Sequence, residues 1–224
     1  IDTKEVLYAK NIYERLYPAS TTKLMTALVA LKNGDLDAQT SVSQEAVTFH
    51  ESGVSTVRLK AGDVLTLRQL LYALLLPSAN DAANVIAEQI AGNQEQFVAM
   101  MNAEAKSLGA TGTNFVNASG LHDKNHYTTA YDLYLIFRSA IQYDDFMEMI
   151  QQKEYTASYQ ASDGSSVEAT WSSSNQFTSG AVAVPDGVQA VGGKTGTTSA
   201  AKSCLVQLFK DAQGQRYVAI ILGC

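Results

Sequence analysis

Strand-like and helical patterns are segregated along this 224-residue chain, and the segregation restricts its fold more than any other feature. Apolar residues at helical spacing fill most of residues 65–151. The strand-like segments are 6–9, 154–159, 167–171 and three more from residue 188 onward. Segregated strands joined by hairpins are typical of antiparallel sheets. The sequence therefore predicts an α+β fold, with an antiparallel sheet flanked by helices and a mostly helical domain inserted into it.

The chain is expected to form two domains. Residues 1–45 and 152–224 would form the sheet domain, and residues 46–151 the inserted helical domain. A hydrophobic content of 46% is enough for a sizeable core. The net charge is −6 and no run of lysines or arginines occurs, so nucleic acid is not an expected partner. No apolar run approaches the ~20 residues that span a bilayer.

Three short strings carry the chemistry: S-T-T-K at 20–23, S-A-N at 78–80 and K-T-G at 194–196. They supply a serine beside an amine, a second hydroxyl beside an amide, and a cation beside a hydroxyl. That set suits acyl transfer to a serine without a catalytic histidine. Each pattern is weak alone, because S-x-x-K occurs again at 199–202 and S-x-N again at 173–175. These second copies lie at a predicted strand start and in a loop, so they are discounted as site residues.

Ser20 is predicted to lie at a helix N-terminus, with Lys23 one turn along on the same side. Leucines at helical spacing follow Lys23, and Gly34 stands where a C-terminal cap belongs. Unpaired N–H groups at a helix start can stabilise an oxyanion. The alternative is that Ser20 only caps the helix and Lys23 is a solvated lysine.

Ser78 and Asn80 are predicted to occupy a tight turn between two buried helices. One helix would begin at Thr66 and end at Pro77, and the next would begin at Asp81. Such a turn would hold both polar side chains rigidly against a cleft. Ordinary helix-capping chemistry is the alternative, since Ser, Asn and Asp all favour turns.

Lys194 follows a strand-like approach that ends in glycines, which suggests a close approach of ligand or backbone. Alternation along a strand places Thr195 and Thr197 on one face, and Lys194 and Gly196 on the other. An ordinary strand with one exposed lysine is the alternative.

In context, these strings resemble the penicillin-recognising serine D-alanyl-D-alanine carboxypeptidases, the low-molecular-mass penicillin-binding proteins. The matching segments cover nearly the whole chain in the family's order. They are Y-P-A-S-T-T-K-L-M-T-A-L at 17–28, L-L-P-S-A-N-D-A-A at 75–83, F-V-N-A-S-G-L at 115–121, H-Y-T-T-A-Y-D-L at 126–133 and G-G-K-T-G-T-T at 192–198. The resemblance implies a β-lactamase/transpeptidase-like fold with the catalytic cleft between the two domains.

The resemblance also implies catalytic roles. Ser20 would attack the carbonyl of the penultimate D-alanine, and neutral Lys23 would take the hydroxyl proton. Desolvation and the second cation, Lys194, would lower the pKa of Lys23 enough for that task. Ser78 would relay the proton to the departing amine, and Asn80 would orient Lys23 and hold the substrate amide.

Substrate binding is implied for the K-T-G strand. Lys194 and Thr195 would bind the terminal carboxylate, Gly196 would lie in the substrate-binding strand, and the backbone N–H groups of Ser20 and Thr197 would form the oxyanion hole. Many relatives have a histidine or an aromatic residue at the position of Thr197, so only a backbone role carries over. The substrate-facing arginine of the family usually belongs to a later helix and cannot be assigned in this sequence.

The implied reaction removes the terminal D-alanine from peptidoglycan stem pentapeptides through an acyl-enzyme on Ser20, without a cofactor. Penicillins and other β-lactams would acylate the same serine. The resemblance further implies an extracytoplasmic location and membrane association through a C-terminal segment beyond these residues.

Two other functions fit the same strings. A class A-like β-lactamase needs a carboxylate that activates water, usually in E-x-x-L-N, and neither Glu88 nor Glu148 has that context. Penicillin is therefore expected to leave Ser20 slowly. A non-catalytic sensor of β-lactam or peptide would keep the acylation and lack peptide turnover.

The remaining chemically active residues are two cysteines and three histidines. A hairpin centred near Gly214 would put Cys204 roughly opposite Cys224. The sequence is compatible both with a disulfide between them and with two free thiols. No metal site is expected, because His122 and His126 are separated by a loop-like segment. His126 is instead expected to order the loop before a helix that Thr128 or Thr129 caps, with Asp132 completing a capping box.

Overall fold

The computed structural model describes residues 1, 3–51 and 53–224 and confirms the α+β class. The described residues form seven α-helices, which are α1 Lys23–Asn33, α2 Leu67–Leu75, α3 Asn80–Ala91, α4 Gln94–Ser107, α5 Ala130–Ala140, α6 Asp144–Gln151 and α7 Gln176–Ser179. They also form seven strands, which are β1 Gln39–Ser41, β2 Val64–Thr66, β3 Glu154–Gln160, β4 Ser166–Ser172, β5 Val188–Thr198, β6 Lys202–Asp211 and β7 Arg216–Ile221.

The strands form two antiparallel sheets instead of the single expected sheet. One has the order β1-β2-β3-β4 and the other β5-β6-β7. A single pair, Val64 with Gln160, joins β2 to the β3–β4 hairpin. Strands β1 and β2 have three residues each, too short to show an alternating pattern in sequence. The five strands predicted after residue 150 are confirmed.

The strand predicted at residues 6–9 is wrong. Val6, Leu7 and Tyr8 are 66%, 70% and 80% exposed, and no strand of the described residues pairs with them. An apolar run has strand propensity, but a strand forms only where a partner supplies hydrogen bonds.

Helix α1 lies at the centre of the helical region. It packs against α2, α3, α4 and α5, and every side chain from Lys23 to Ala30 is buried. A helix that is enclosed on all sides is held by its neighbours and cannot shift without disrupting the core. Its first turn is therefore a rigid platform. Its C-terminal end is Gly34, as expected.

The predicted helix ends are mostly confirmed. Thr66 caps α2 in a capping box with Gln69, and α2 ends before Pro77. Thr129 caps α5 by accepting the N–H of Asp132. The predicted capping box at α5 is wrong, because the Asp132 carboxylate accepts a 2.6 Å hydrogen bond from Thr113 instead.

Both cysteines are free thiols. Gly223 has a φ of 70°, and this extra residue shifts the register at the end of the β6–β7 pair. Cys224 therefore pairs with Ser203 through two backbone hydrogen bonds of 3.0 and 3.1 Å. The Cys204 side chain is buried beside Ala19 and Ala201, whereas Cys224 is exposed. Of the two alternatives, the free thiols are confirmed.

Among the described helices, none is both long and apolar enough to cross a membrane.

Candidate active site

Ser20 lies in a short 3-10 turn, Ala19–Thr22, that leads directly into α1. Ala19 has a φ of 47°, which costs free energy for a residue other than glycine, and such strain is concentrated at functional sites. The turn leaves Ser20 partly exposed while Lys23, three residues on, is fully buried. The Lys23 Nζ lies 2.9 Å from the Ser20 Oγ. A hydroxyl at the surface thus contacts an amine shielded from water.

The Lys23 amine has two further partners. It donates to the Asn80 Oδ1 at 2.5 Å and to the Ser119 backbone carbonyl at 2.6 Å. Burial lowers the pKa of Lys23 well below its ordinary value, and the Lys194 charge lowers it further, while Asp81 opposes both effects. The amine therefore becomes neutral at a lower pH than a solvated lysine.

The S-A-N string forms the tight turn between α2 and α3 that the sequence predicts. Ser78 has a φ of 66°, in the left-handed region that side chains disfavour. The Asn80 N–H donates to the Ser55 carbonyl at 2.8 Å, and the Ala79 N–H donates to the Ala73 carbonyl at 3.0 Å. These backbone bonds hold a turn in which Asn80 reaches Lys23 and Ser78 reaches the K-T-G strand.

Lys194 is 1% exposed and donates to the Ser78 Oγ and to the Thr195 carbonyl, both at 2.9 Å. Burial lowers its pKa to about 7. Within the described part of the chain, no carboxylate forms a salt bridge with this amine. A buried ammonium without a counter-ion is costly, so the site favours a bound anion.

Strand β5 passes directly behind Ser20. A side chain at Gly196 would place its Cβ 2.8 Å from the Ser20 nitrogen and 3.0 Å from the Pro18 oxygen, so only glycine fits. Lys194 and Gly196 are buried, Thr195 is half-buried and Thr197 is exposed, as alternation predicts. The structure thus brings the seven predicted site residues of the three strings to one site, with Thr197 next along β5.

Sequence reasoning missed three contributors. The Ser119 carbonyl binds Lys23, and nothing in a sequence marks a backbone acceptor. Ser174, part of the discounted second S-x-N copy, lies with its Oγ 3.5 Å from the Thr195 Oγ1. His126 was expected only to order a loop, but its Nε2 lies 2.7 Å from the Thr22 Oγ1. The second S-x-x-K copy remains outside the site, with Ser199 and Lys202 both exposed.

Asp81 and His122 have partners outside the site. Asp81 accepts backbone N–H groups of Val57 and Leu59 at 3.2 and 3.1 Å. His122 packs edge-on against Tyr17, with ring centroids 4.7 Å apart. Over residues 1, 3–51 and 53–224, no three His, Cys, Asp or Glu side chains form a cluster that could hold a metal ion.

This geometry agrees with comparisons to known proteins. A family model described as D-alanyl-D-alanine carboxypeptidase matches residues 1–224. The chain belongs to this peptidase family. Among curated members, the D-alanyl-D-alanine carboxypeptidase DacF of Bacillus subtilis is 34% identical over 227 residues, covering 99% of this chain and 55% of the relative. A D-alanyl-D-alanine carboxypeptidase of Mycobacterium tuberculosis is 37% identical, covering 100% of this chain and 72% of the relative.

This member of the D-alanyl-D-alanine carboxypeptidase family therefore spans about half the length of the Bacillus relative. Among solved structures, a Streptomyces DD-transpeptidase superposes with a TM-score of 0.90 at 33% identity, covering 99% of this chain and 86% of that one. The transpeptidase-like fold expected from the sequence is confirmed.

Proposed function

We propose that this chain is a serine-type D-Ala-D-Ala carboxypeptidase that removes the terminal D-alanine from peptidoglycan stem pentapeptides. One observation carries the proposal: the buried Lys23 amine lies 2.9 Å from the Ser20 hydroxyl. An amine kept neutral by burial can act as a general base for an adjacent nucleophile. The names of the curated relatives support the choice of substrate.

In the acylation step, the Ser20 Oγ attacks the carbonyl carbon of the penultimate D-alanine and its proton passes to the Lys23 Nζ. The C–N bond to the terminal D-alanine then breaks. Ser78 passes the proton that Lys23 has taken on to the departing amine, and the Ser78 Oγ is held by the Lys194 amine at 2.9 Å. Asn80 holds Lys23 in place through its Oδ1 and can accept or donate to the substrate amide.

The K-T-G strand binds the substrate. Lys194 and Thr195 take the terminal carboxylate, which supplies the counter-ion that the buried ammonium lacks. Gly196 allows β5 to lie against Ser20, so that the backbone N–H groups of Ser20 and Thr197 can converge on an oxyanion. Water hydrolyses the acyl-enzyme and regenerates Ser20.

β-Lactams are the second class of ligand, as covalent inhibitors that acylate Ser20. Deacylation of a penicilloyl enzyme needs an activated water. Among the described residues, no carboxylate hydrogen-bonds with Ser20, Lys23, Ser78 or Lys194. Slow release of penicillin follows, which distinguishes this function from that of a class A-like β-lactamase.

Two further predictions accompany this function. The substrate lies outside the cytoplasmic membrane, so the location is extracytoplasmic. The division into a sheet domain of residues 1–45 and 152–224 and a helical domain of residues 46–151 stays a prediction, as does membrane association through a later segment.

The test is D-alanine release from a diacylated L-Lys-D-Ala-D-Ala peptide by the wild type, Ser20→Ala and Ser199→Ala. The last is a matched control, because Ser199 begins the exposed second S-x-x-K. Release that persists in Ser199→Ala and vanishes in Ser20→Ala is expected. Penicillin uptake without peptide turnover would identify a sensor, and rapid penicillin turnover a β-lactamase.

A further inference from the structure

His126 is a buried side chain for which the acylation mechanism has no role. It is 2% exposed and lies between the 3-10 turn Ala19–Thr22, the nucleophile turn, and the segment 116–121, which covers that turn. Its ring packs edge-on against Phe115, with centroids 5.5 Å apart. Both ring nitrogens are engaged, one on each of the two segments.

The two contacts fix the tautomer of His126. The Val116 N–H donates to Nδ1 at 3.2 Å, so Nδ1 is unprotonated. Nε2 then carries the proton and donates it to the Thr22 Oγ1 at 2.7 Å. Burial lowers the pKa of His126 to about 4, so the ring is neutral near neutral pH. His126 therefore links the backbone of segment 116–121 to the start of α1.

Segment 116–121 lies directly on α1 and the nucleophile turn. The Ala118 carbonyl accepts from the Thr26 Oγ1 at 2.6 Å, and the next carbonyl, that of Ser119, accepts from Lys23. Gly120 is so close to Ala19 that an added Cβ would overlap the Ala19 carbonyl. The position of the Ser119 oxygen therefore depends on how this segment lies against the turn.

That oxygen orients the lone pair of Lys23. A neutral amine has two hydrogens and one lone pair, and Lys23 has three polar neighbours. The Asn80 Oδ1 and the Ser119 carbonyl are acceptors only, so they take both hydrogens. The lone pair is left pointing at the Ser20 hydroxyl, which is the arrangement that proton abstraction needs. If the Ser119 carbonyl moved, the amine could rotate away from that direction.

We propose that His126 is a positioning residue for the reaction: by tying segment 116–121 to Thr22, it holds the Ser119 carbonyl where the Lys23 lone pair faces Ser20. The inference rests on the proposed function of Ser20 and Lys23. It assigns His126 no contact with substrate and no proton transfer.

The test measures acylation by a chromogenic penicillin in rapid mixing, separating the first-order acylation constant from the dissociation constant of the initial complex. Rates are expressed per site titrated by penicillin, so a misfolded fraction does not lower them. The variants are His126→Leu, which keeps bulk and removes both hydrogen bonds, and Thr22→Val, which removes the partner hydroxyl isosterically. Thr113→Val is the matched control, because Thr113 bonds Thr128 and Asp132 beside the same segment without contacting α1.

We expect the acylation constant per site to fall at least about tenfold in His126→Leu and in Thr22→Val, with the dissociation constant unchanged. The double variant should be no slower than the slower single variant, because both changes break one link. Thr113→Val should acylate within about twofold of the wild type.

A wild-type rate per site in His126→Leu, an equal fall in Thr113→Val, or additive losses in the double variant would each overturn the proposal. If His126→Leu yields no titratable sites, Thr22→Val decides the question alone. Failure of the proposed function has a different signature, since the wild type itself would then release no D-alanine from the peptide, whatever the acylation rates of the variants.

Discussion

The two buried lysines of the site have opposite surroundings. Lys23 has three polar neighbours within 2.9 Å, all contributed by the protein, and lies in the interior of the helical region. Among the described residues, Lys194 hydrogen-bonds with the Ser78 hydroxyl and the Thr195 carbonyl, and it lies beside the half-buried Thr195 and the exposed Thr197. Burial lowers both pKa values, and the charge of Lys194 lowers that of Lys23 further.

This difference separates two tasks that one residue type can perform. A fully surrounded amine has a fixed direction and is suited to moving a proton. An amine that lacks a counter-ion and lies beside partly exposed residues is suited to binding an anion. The surroundings, more than the residue type, therefore assign the role.

The largest effect is expected at Lys23, the lysine with three polar neighbours. Lys23→Met should lower the rate of acylation by penicillin about 10³-fold, because the general base is lost. Lys32→Met is the control, since Lys32 is on the same helix but forms a salt bridge with Glu104 at the surface. Mass spectrometry of the acyl-enzyme over time measures the rate. Equal rates in both variants would end the comparison, because Lys23 would then not be the base.

The Lys194→Met variant should have a kcat/KM for the peptide about 10- to 100-fold lower than that of the wild type. A loss of this size corresponds to one hydrogen bond to a charged group. The loss should disappear for a peptide that ends in an amide, because only a carboxylate uses the ammonium. Lys210→Met, on the exposed face of β6, is the control. An equal loss on the amide-ended peptide would mean that Lys194 acts through the protein and not on the substrate's charge.

Lowering the pH should reduce the stability of the folded protein, because His126 becomes protonated. Its pKa is about 4 when folded and 6.5 in its ordinary state, because burial and the nearby His122 and Lys23 lower it more than Asp123 raises it. The unfolded chain thus takes up the proton first, and stability present above pH 6.5 is lost as the pH falls toward 4.

At pH 4.5 this loss should be on the order of 2 kcal/mol relative to pH 7.5. Urea unfolding of the wild type and His126→Gln at both pH values measures it. Between pH 7.5 and pH 4.5, the free energy of unfolding should fall by about 2 kcal/mol less in His126→Gln than in the wild type. An identical pH dependence in the two proteins would show that folding does not lower the pKa of His126.

The smallest effect is expected at Ser174. Its Oγ is 3.5 Å from the Thr195 Oγ1 and donates to the Leu76 carbonyl at 3.0 Å, on an exposed residue. Ser174→Ala should change kcat/KM by less than about fivefold, because an exposed neutral hydrogen bond contributes little. A loss in kcat/KM above about 30-fold would mean that the surroundings of Lys194 and Thr195 are as tightly constrained as those of Lys23.

Much of the fold was accessible from sequence because its signals are local. The capping box at Thr66, the end of α2 before Pro77 and the Gly34 cap of α1 each depend on neighbours in the chain. The failures were non-local. The segment 6–9 has the composition of a strand but no partner in the described residues, and Asp132 bonds Thr113 from another segment.

The sequence by itself determined the α+β class, the three strings and the chemistry that they can perform. It did so because residue types and helix-end signals are properties of short stretches. Only the tertiary structure decided that the Ser119 carbonyl and His126 join the site, and that Cys204 and Cys224 are free thiols. Those outcomes depend on backbone atoms and on contacts between distant segments, which leave no pattern in one sequence.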